Sequence, residues 1–378
     1  MGGHCREAVS AHRTVVVDLR TIADDETTAS AAGGDVLESG PVAVLGATGV
    51  VGTELLRMIS QRGIPAEDVR AMASGGESSV AYGAGLIPVH PVREQVFDDV
   101  RTVFLAAGAE ASRTWTPIAL AAGCDVIDTS SAHRMDPDVP LVIPEVNGEE
   151  LDRLKASPRL VANPNCSTIL LLMALTPLHR SWGCERIVVS TYQAVSGAGA
   201  AAMDELRTQT RSMLDGDRIV SECFGEPCAF NVFSHDSAID ASTGRNGEEQ
   251  KMLQETARIW NADVPVSATC VRVPVLRSHT ESIHVELGTA TTVEAVRSAI
   301  AAFPGVSVID DRAANDFPTP WKASDGDLVL VGRIRMAADA RLQSDGRGDR
   351  FEMLCSMDQL RKGAALNAIQ LAEGLKSI

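Results

Sequence analysis

After Pro41 the first half of the chain alternates short apolar runs with helix-like stretches. Residues 42–45 read as a buried strand, because four consecutive apolar side chains leave neither face for water. A glycine turn follows, then a helix over 51–61 with apolar positions at helical spacing. Residues 69–73, 102–106 and 124–127 predict further buried strands, with a helix over 111–122 between the last two. Such alternation builds a parallel, doubly wound sheet of Rossmann type, an α/β fold.

The pattern changes after Cys166. Strand-like stretches at 186–195, 266–276, 282–287 and 328–336 interleave with helices at 200–213, 248–260 and 293–303. Several strands in near succession imply a mixed or antiparallel sheet, hence a second domain of α+β type. Residues 360–376 predict one periodic closing helix with Gly374 near its end. There is no internal repeat.

Composition narrows the function classes. At 378 residues the chain exceeds one ordinary core and suggests two domains. The longest apolar runs, such as 169–175, fall well short of a membrane span. A net charge of −16 argues against nucleic acid, whose phosphates call for clustered Lys and Arg. The eight cysteines are scattered, with no CxxC pair and no zinc-like Cys/His cluster, which suits free thiols in a reducing cytoplasm. Residues 1–40 carry seven acidic residues against three Arg. They have no apolar core for a secretory signal and too much acid for a transit peptide. They read as a mobile extension, or as an upstream start, before a domain that begins at Pro41.

Two segments carry candidate chemistry. Gly46, Thr48, Gly49, Val50, Val51 and Gly52 lie between the first strand and the first helix. Glycines at three-residue spacing allow a tight turn and let a dinucleotide's diphosphate rest on the helix N-terminus. The second segment is Asn163-Pro164-Asn165-Cys166-Ser167-Thr168, which opens the apolar helix of 169–175. At a helix N-terminus, dipole and amides favour thiolate, and the same amides suit an oxyanion. Buried structural cysteine is an equal alternative on spacing alone.

These two segments, with Tyr192-Gln193-Ala194-Val195-Ser196-Gly197-Ala198-Gly199 downstream, resemble the aspartate-semialdehyde dehydrogenase family. The likeness runs from about Pro41 to the C-terminus. It includes the segments 130–136, 248–252, 272–275 and 360–367. The resemblance implies NADPH-dependent reduction of L-aspartyl 4-phosphate to L-aspartate 4-semialdehyde through a cysteine thioester, with release of phosphate, in biosynthesis of the aspartate family of amino acids. It implies Cys166 as nucleophile, His279 as acid/base and Gln193 beside the thiol. Arg272 would hold the substrate carboxylate, which its planar fork suits. Glu248 would face the substrate's amino end, and Arg134 and Lys251, with Asn165 beside them, would hold phosphate. Ser196, Gly197 and Gln359 would border the cofactor. A homodimer is implied, with a tetramer left open.

The same resemblance divides the chain into an extension at 1–40, a dinucleotide-binding domain at 41–165, a catalytic and dimerisation domain at 166–356, and a C-terminal helix at 357–378 that returns to the first domain. This sequence departs from the family pattern at His133, where a phenylalanine is usual, and at Gln359, where asparagine is usual. It departs again in Ala73-Ser74-Gly75-Gly76-Glu77-Ser78, where the family's NADP-marking arginine position is Gly76, with Glu77 beside it. Ser74 or Ser78 is left to meet the ribose 2′-phosphate. NADP remains the expected cofactor, with measurable NAD use. The rival readings are an N-acetylglutamyl-phosphate reductase, whose motif has glycine before and tyrosine after the thiol, and an inactive regulatory relative.

Overall fold

A computed structural model describes residues 40–376 apart from 76, 77, 155 and 157. The readings of Gly76, of Glu77 and of the extension before Gly40 therefore lie outside the described residues.

The first sheet contains β1 (Val42–Leu45), β2 (Val69–Ala73), β3 (Ser79–Tyr82), β4 (Gly85–Pro91), β5 (Thr102–Leu105), β6 (Asp125–Asp128) and β7 (Leu160–Ala162). Their order is β3-β4-β2-β1-β5-β6-β7. Every pairing is parallel except the β3–β4 hairpin. Helix α1 (Val50–Gln61) leads from β1 to β2, α2 (Ala109–Ala121) leads from β5 to β6, and the short α3 (Pro144–Asn147) precedes β7. The strand period of two sends Val42 and Val44 into one core with Leu55 and Ile59, and Ala43 and Leu45 into the opposite core with Phe97 and Ala119. That is why β1 has no polar residue. Its neighbours β2 and β5 are reached in opposite directions, so the strand order reverses at its carboxyl end and opens a ligand crevice there.

Beyond the first sheet come α4 (Cys166–Trp182), β8 (Cys184–Gln193), α5 (Ala200–Asp215), β9 (Phe233–Ser234), α6 (Gly247–Trp260), β10 (Val266–Arg272) and β11 (His279–Thr291). They are followed by α7 (Val293–Ala301), β12 (Val306–Val308), α8 (Pro320–Ala323), β13 (Val329–Met336), β14 (Gly348–Met357) and α9 (Leu366–Lys376). The second sheet has the order β12-β13-β14-β11-β8-β10-β9 and is mixed. Helix α4 is buried continuously from Ser167 to Leu178, as an apolar-all-round helix must be. It shares a core with Ile187, Val189, Ile283, Val285 and Phe351 on the sheet's inner face. On the other face β8 exposes Val188 and Tyr192. Helix α9 returns to the first sheet, where Ile369, Leu371 and Ala372 join the core beside β1.

The expected strands and helices are present, with several differences. The hairpin β3–β4, strands β7, β9, β12 and β14, and the short helices α3 and α8 were not expected. Strand β10 stops at Arg272, and β11 starts three residues before the expected 282. Polar His279 and Glu281 occupy inward positions there, which hides the alternation. The closing helix is not one α-helix. Residues Arg361–Ala365 form a π-helical turn before α9. A π turn admits the buried Lys362, whose Nζ donates to Glu145 at 2.5 Å and to Asn367 at 3.0 Å.

Candidate active site

Helix α4 begins at the nucleophile. Asn165 is its N-cap and accepts the Ser167 and Thr168 amides at 3.0 and 3.2 Å. The same residue ties two buried carboxylates together. Its amide nitrogen donates to Glu255 at 2.7 Å and its side chain donates to Glu248 at 2.7 Å. Gln193 also donates to Glu248, at 3.2 Å, and Lys251 donates to its other oxygen at 2.9 Å. The structure thus joins Asn165, Gln193, Glu248 and Lys251 in one network directly beside Cys166.

The thiol is partly accessible, yet most of its surroundings are protein. Burial, then the Glu248 charge, push it up to about 12, against the opposing pull of Arg134, Lys251 and the Ser167 amide. The Ser167 amide of the first turn still favours thiolate, as a helix N-terminus implies. Desolvation and a neighbouring anion outweigh the dipole here. The oxyanion expectation changes as well, because the Asn165 cap already takes two first-turn amides. In the free enzyme, alkylation of Cys166 by iodoacetamide should still be accelerating above pH 9, since only thiolate reacts. Glu248→Gln should move that inflection down, because it removes a charge that raises the thiol. A wild-type plateau below pH 8 would contradict this.

Arg134 is buried, and its guanidinium makes three hydrogen bonds. It donates to Glu255 at 3.1 Å and to the carbonyls of Asn163 and Thr129 at 2.9 and 3.1 Å. It braces the loop that carries Cys166. His133 replaces the usual aromatic without disturbing this, and its Nδ1 lies 2.9 Å from Asp136.

The second half of the site hangs on Ala194, just past β8. Its amide donates to His279 Nδ1 at 3.1 Å, and its carbonyl accepts from Arg272 at 2.9 Å. Because Nδ1 accepts, the neutral imidazole carries its proton on Nε2. Nε2 is buried and has no partner among the described residues. Burial first, then the Arg272 charge, push His279 down to about 3, so the ring is neutral. A Cβ on Gly197 would lie 3.4 Å from His279 and 3.5 Å from Arg272, so the missing side chain keeps the space before both groups open. Arg272 is 2% exposed and reaches Asp236 at 2.6 Å and His235 at 3.0 Å.

The glycine loop needs its glycines. Gly46 has φ +89°, and a Cβ there would lie 2.5 Å from the Ala106 carbonyl oxygen. A Cβ on Gly52 would lie 2.0 Å from the Gly46 carbonyl oxygen. Gly49 is exposed at the N-cap of α1 and offers no side-chain cap, so the first-turn amides around Val50 and Val51 stay open to an anion. Thr48 lies in this loop and Ser74 is exposed just past β2. Gln359 accepts the Ser278 amide at 2.8 Å and donates to Ser196, so its amide is engaged by the protein itself.

Residues 41–154 match the family described as semialdehyde dehydrogenase, NAD binding domain, and residues 175–362 that described as semialdehyde dehydrogenase, dimerisation domain. The chain is similar to aspartate-semialdehyde dehydrogenase of Synechocystis, 43% identical over 335 residues, which span 88% of this chain and 96% of that relative. It belongs to the aspartate-semialdehyde dehydrogenase family. The Aquifex aeolicus member is 41% identical, across 88% of this chain and 96% of its own. Among solved structures of the family, aspartate semialdehyde dehydrogenase II of Vibrio cholerae, in complex with ASA, is similar with a TM-score of 0.82. It is 38% identical, over 89% of this chain and 98% of that one.

Sequence reasoning missed Glu255, Asp236, His235 and Gly363. Glu255 holds both the Asn165 amide and Arg134, and Gly363 would place a Cβ 3.0 Å from that of Cys166. Glu255 follows Glu248 by seven residues on one helix, a spacing that puts both carboxylates on one face and could have been read. Among the described residues no group of His, Cys, Asp and Glu could hold a metal, and no helix is long and apolar enough to cross a membrane.

Proposed function

We propose that this chain reduces L-aspartyl 4-phosphate to L-aspartate 4-semialdehyde with NADPH, through a thioester on Cys166. One observation carries the reading. Asn165, the residue before Cys166, is joined through Glu248 to Gln193, at the strand end whose next residue, Ala194, holds both His279 and Arg272.

Arg272 takes the substrate's carboxylate, and Glu248 faces its ammonium. Lys251, with its ammonium partly exposed beside Glu248, receives the phosphoryl group, while Arg134 keeps the nucleophile loop in place. Cys166 gives its proton to solvent water, which reaches the partly accessible residue, and the thiolate attacks the acyl carbon. The oxyanion that forms is met by the Nε2–H of His279, and collapse expels phosphate and leaves the thioester. The nicotinamide cofactor supplies the hydride when bound, with its diphosphate on the open amides after Gly49. The resulting alkoxide, again held by His279, collapses to aldehyde and returns Cys166 as thiolate.

NADP is the cofactor, and the sequence at Gly76 and Glu77 leaves NAD use open, since it lacks the family's arginine for a 2′-phosphate. The dimerisation domain makes a homodimer. Residence in the cytoplasm completes the proposal.

The reverse reaction tests it. With phosphate present, aspartate semialdehyde should be oxidised with NADP far faster than N-acetylglutamate semialdehyde, and NAD should support a measurable rate. Preference for the acetylated substrate, or no turnover of either, would overturn the reading. A preference for NADP above about a thousandfold would sink the relaxed ribose loop.

A further inference from the structure

Arg272 is not waiting empty. Its side chain is 2% exposed, and its charge is met by Asp236, which is itself about a third exposed. Asp236 Oδ1 alone accepts from both Nε, at 3.3 Å, and NH2, at 2.6 Å. That is the side edge of the guanidinium, where a carboxylate with two oxygens makes the stronger paired contact. The centroid of the Phe224 ring lies 5.3 Å from the guanidinium carbon, which stands over the ring.

The remaining contacts hold Arg272 independently of Asp236. NH1 donates to the Ala194 carbonyl at 2.9 Å, and NH2 donates to His235 Nε2 at 3.0 Å. An arginine cannot accept, so its contact calls for a lone pair on Nε2, while Nδ1 lies 3.1 Å from Ser237 Oγ and 3.2 Å from the Ser237 amide nitrogen. Burial first, then the Arg272 charge, lower His235, so it stays neutral beside the cation. The backbone here is fastened too. The His235 amide donates to the Cys270 carbonyl at 2.9 Å, and Ser237 Oγ accepts the Glu248 amide at 3.0 Å. The side chain of Asp236 can leave toward water while the loop stays.

Resting on the reading of Arg272 as the substrate's carboxylate anchor, we propose that Asp236 occupies the carboxylate seat of the empty enzyme and is displaced by the substrate's own carboxylate. Two carboxylates on one edge of the guanidinium would repel, so binding is an exchange. The exchange keeps a buried guanidinium from ever standing unpaired, which would be strongly destabilising. It also sets a threshold, because a ligand without a carboxylate has nothing to put in place of Asp236. Burial opposes ionisation of Asp236, but its hydrogen bond to Arg272 and that charge more than offset this and hold the carboxyl below its usual range. Asp236 is thus a full competitor at neutral pH.

The test compares wild type with Asp236→Asn, which keeps shape and hydrogen bonding but loses the charge, and with Asp236→Ala as the second variant. The readouts are KM for aspartate semialdehyde, the inhibition constant of succinate, and KM for propanal, which has no carboxylate. The exchange predicts that KM and the succinate constant both fall by several-fold in both variants, while KM for propanal does not move. A rise in KM would make Asp236 a brace of the arginine and overturn the proposal. An unchanged KM, or an equal fall for propanal, would overturn it as well. Failure of the underlying reading would look different: wild type would not turn over aspartate semialdehyde, or succinate would not compete with it.

Discussion

Cys166→Ala should reduce turnover at least about a thousandfold while leaving the fold and cofactor binding intact. The loss follows from the covalent step, since no other described thiol can replace this one. Cys124, Cys184, Cys228, Cys270 and Cys355 are buried, and Cys223 is exposed in the stretch that follows α5. The fold should persist because α4 keeps its Asn165 cap and its apolar contacts. The glycine loop belongs to the other sheet, so NADPH should still bind. Turnover in parallel assays and cofactor titration by fluorescence check both halves. Residual turnover above that limit would remove the thioester from the mechanism.

Arg272→Lys should raise KM for aspartate semialdehyde on the order of a hundredfold, about 2.7 kcal/mol, with a smaller effect on kcat. An ammonium keeps the charge but lacks the planar fork. It cannot meet Asp236, His235 and the Ala194 carbonyl together, as the native side chain does. Some loss of thermal stability should accompany this, because a buried donor set is left mismatched. A fall in kcat at constant KM would mean that Arg272 acts on the transition state instead.

The parts legible in sequence are those that follow from local rules. Buried β1 and the glycines at 46 and 52 could be read because steric exclusion and apolar runs are written residue by residue. Helix α4 could be placed, and so could its cap, since Asn165 stands immediately before an apolar run. The thiol's ionisation could not. It depends on Glu248, 82 positions away, and on burial that no local pattern reveals. The hold on Arg134 by Glu255 and on Arg272 by Asp236 joins α6, or the stretch that leads to it, to distant elements, so sequence showed those arginines without their partners. Strand β11 was cut short because its inward His279 and Glu281 break the expected alternation. That breach was itself the trace of the site.

The central claim is a thioester on Cys166, and a single-turnover experiment addresses it most directly. Enzyme, aspartate semialdehyde and NADP are mixed without phosphate, NADPH is followed by absorbance, and the quenched protein is mapped by peptide mass. The account predicts a burst of about one NADPH per active site, an acyl group on the peptide that contains Cys166, and steady turnover only after phosphate is added. Steady turnover without phosphate, or an acyl group on any other residue, would contradict it.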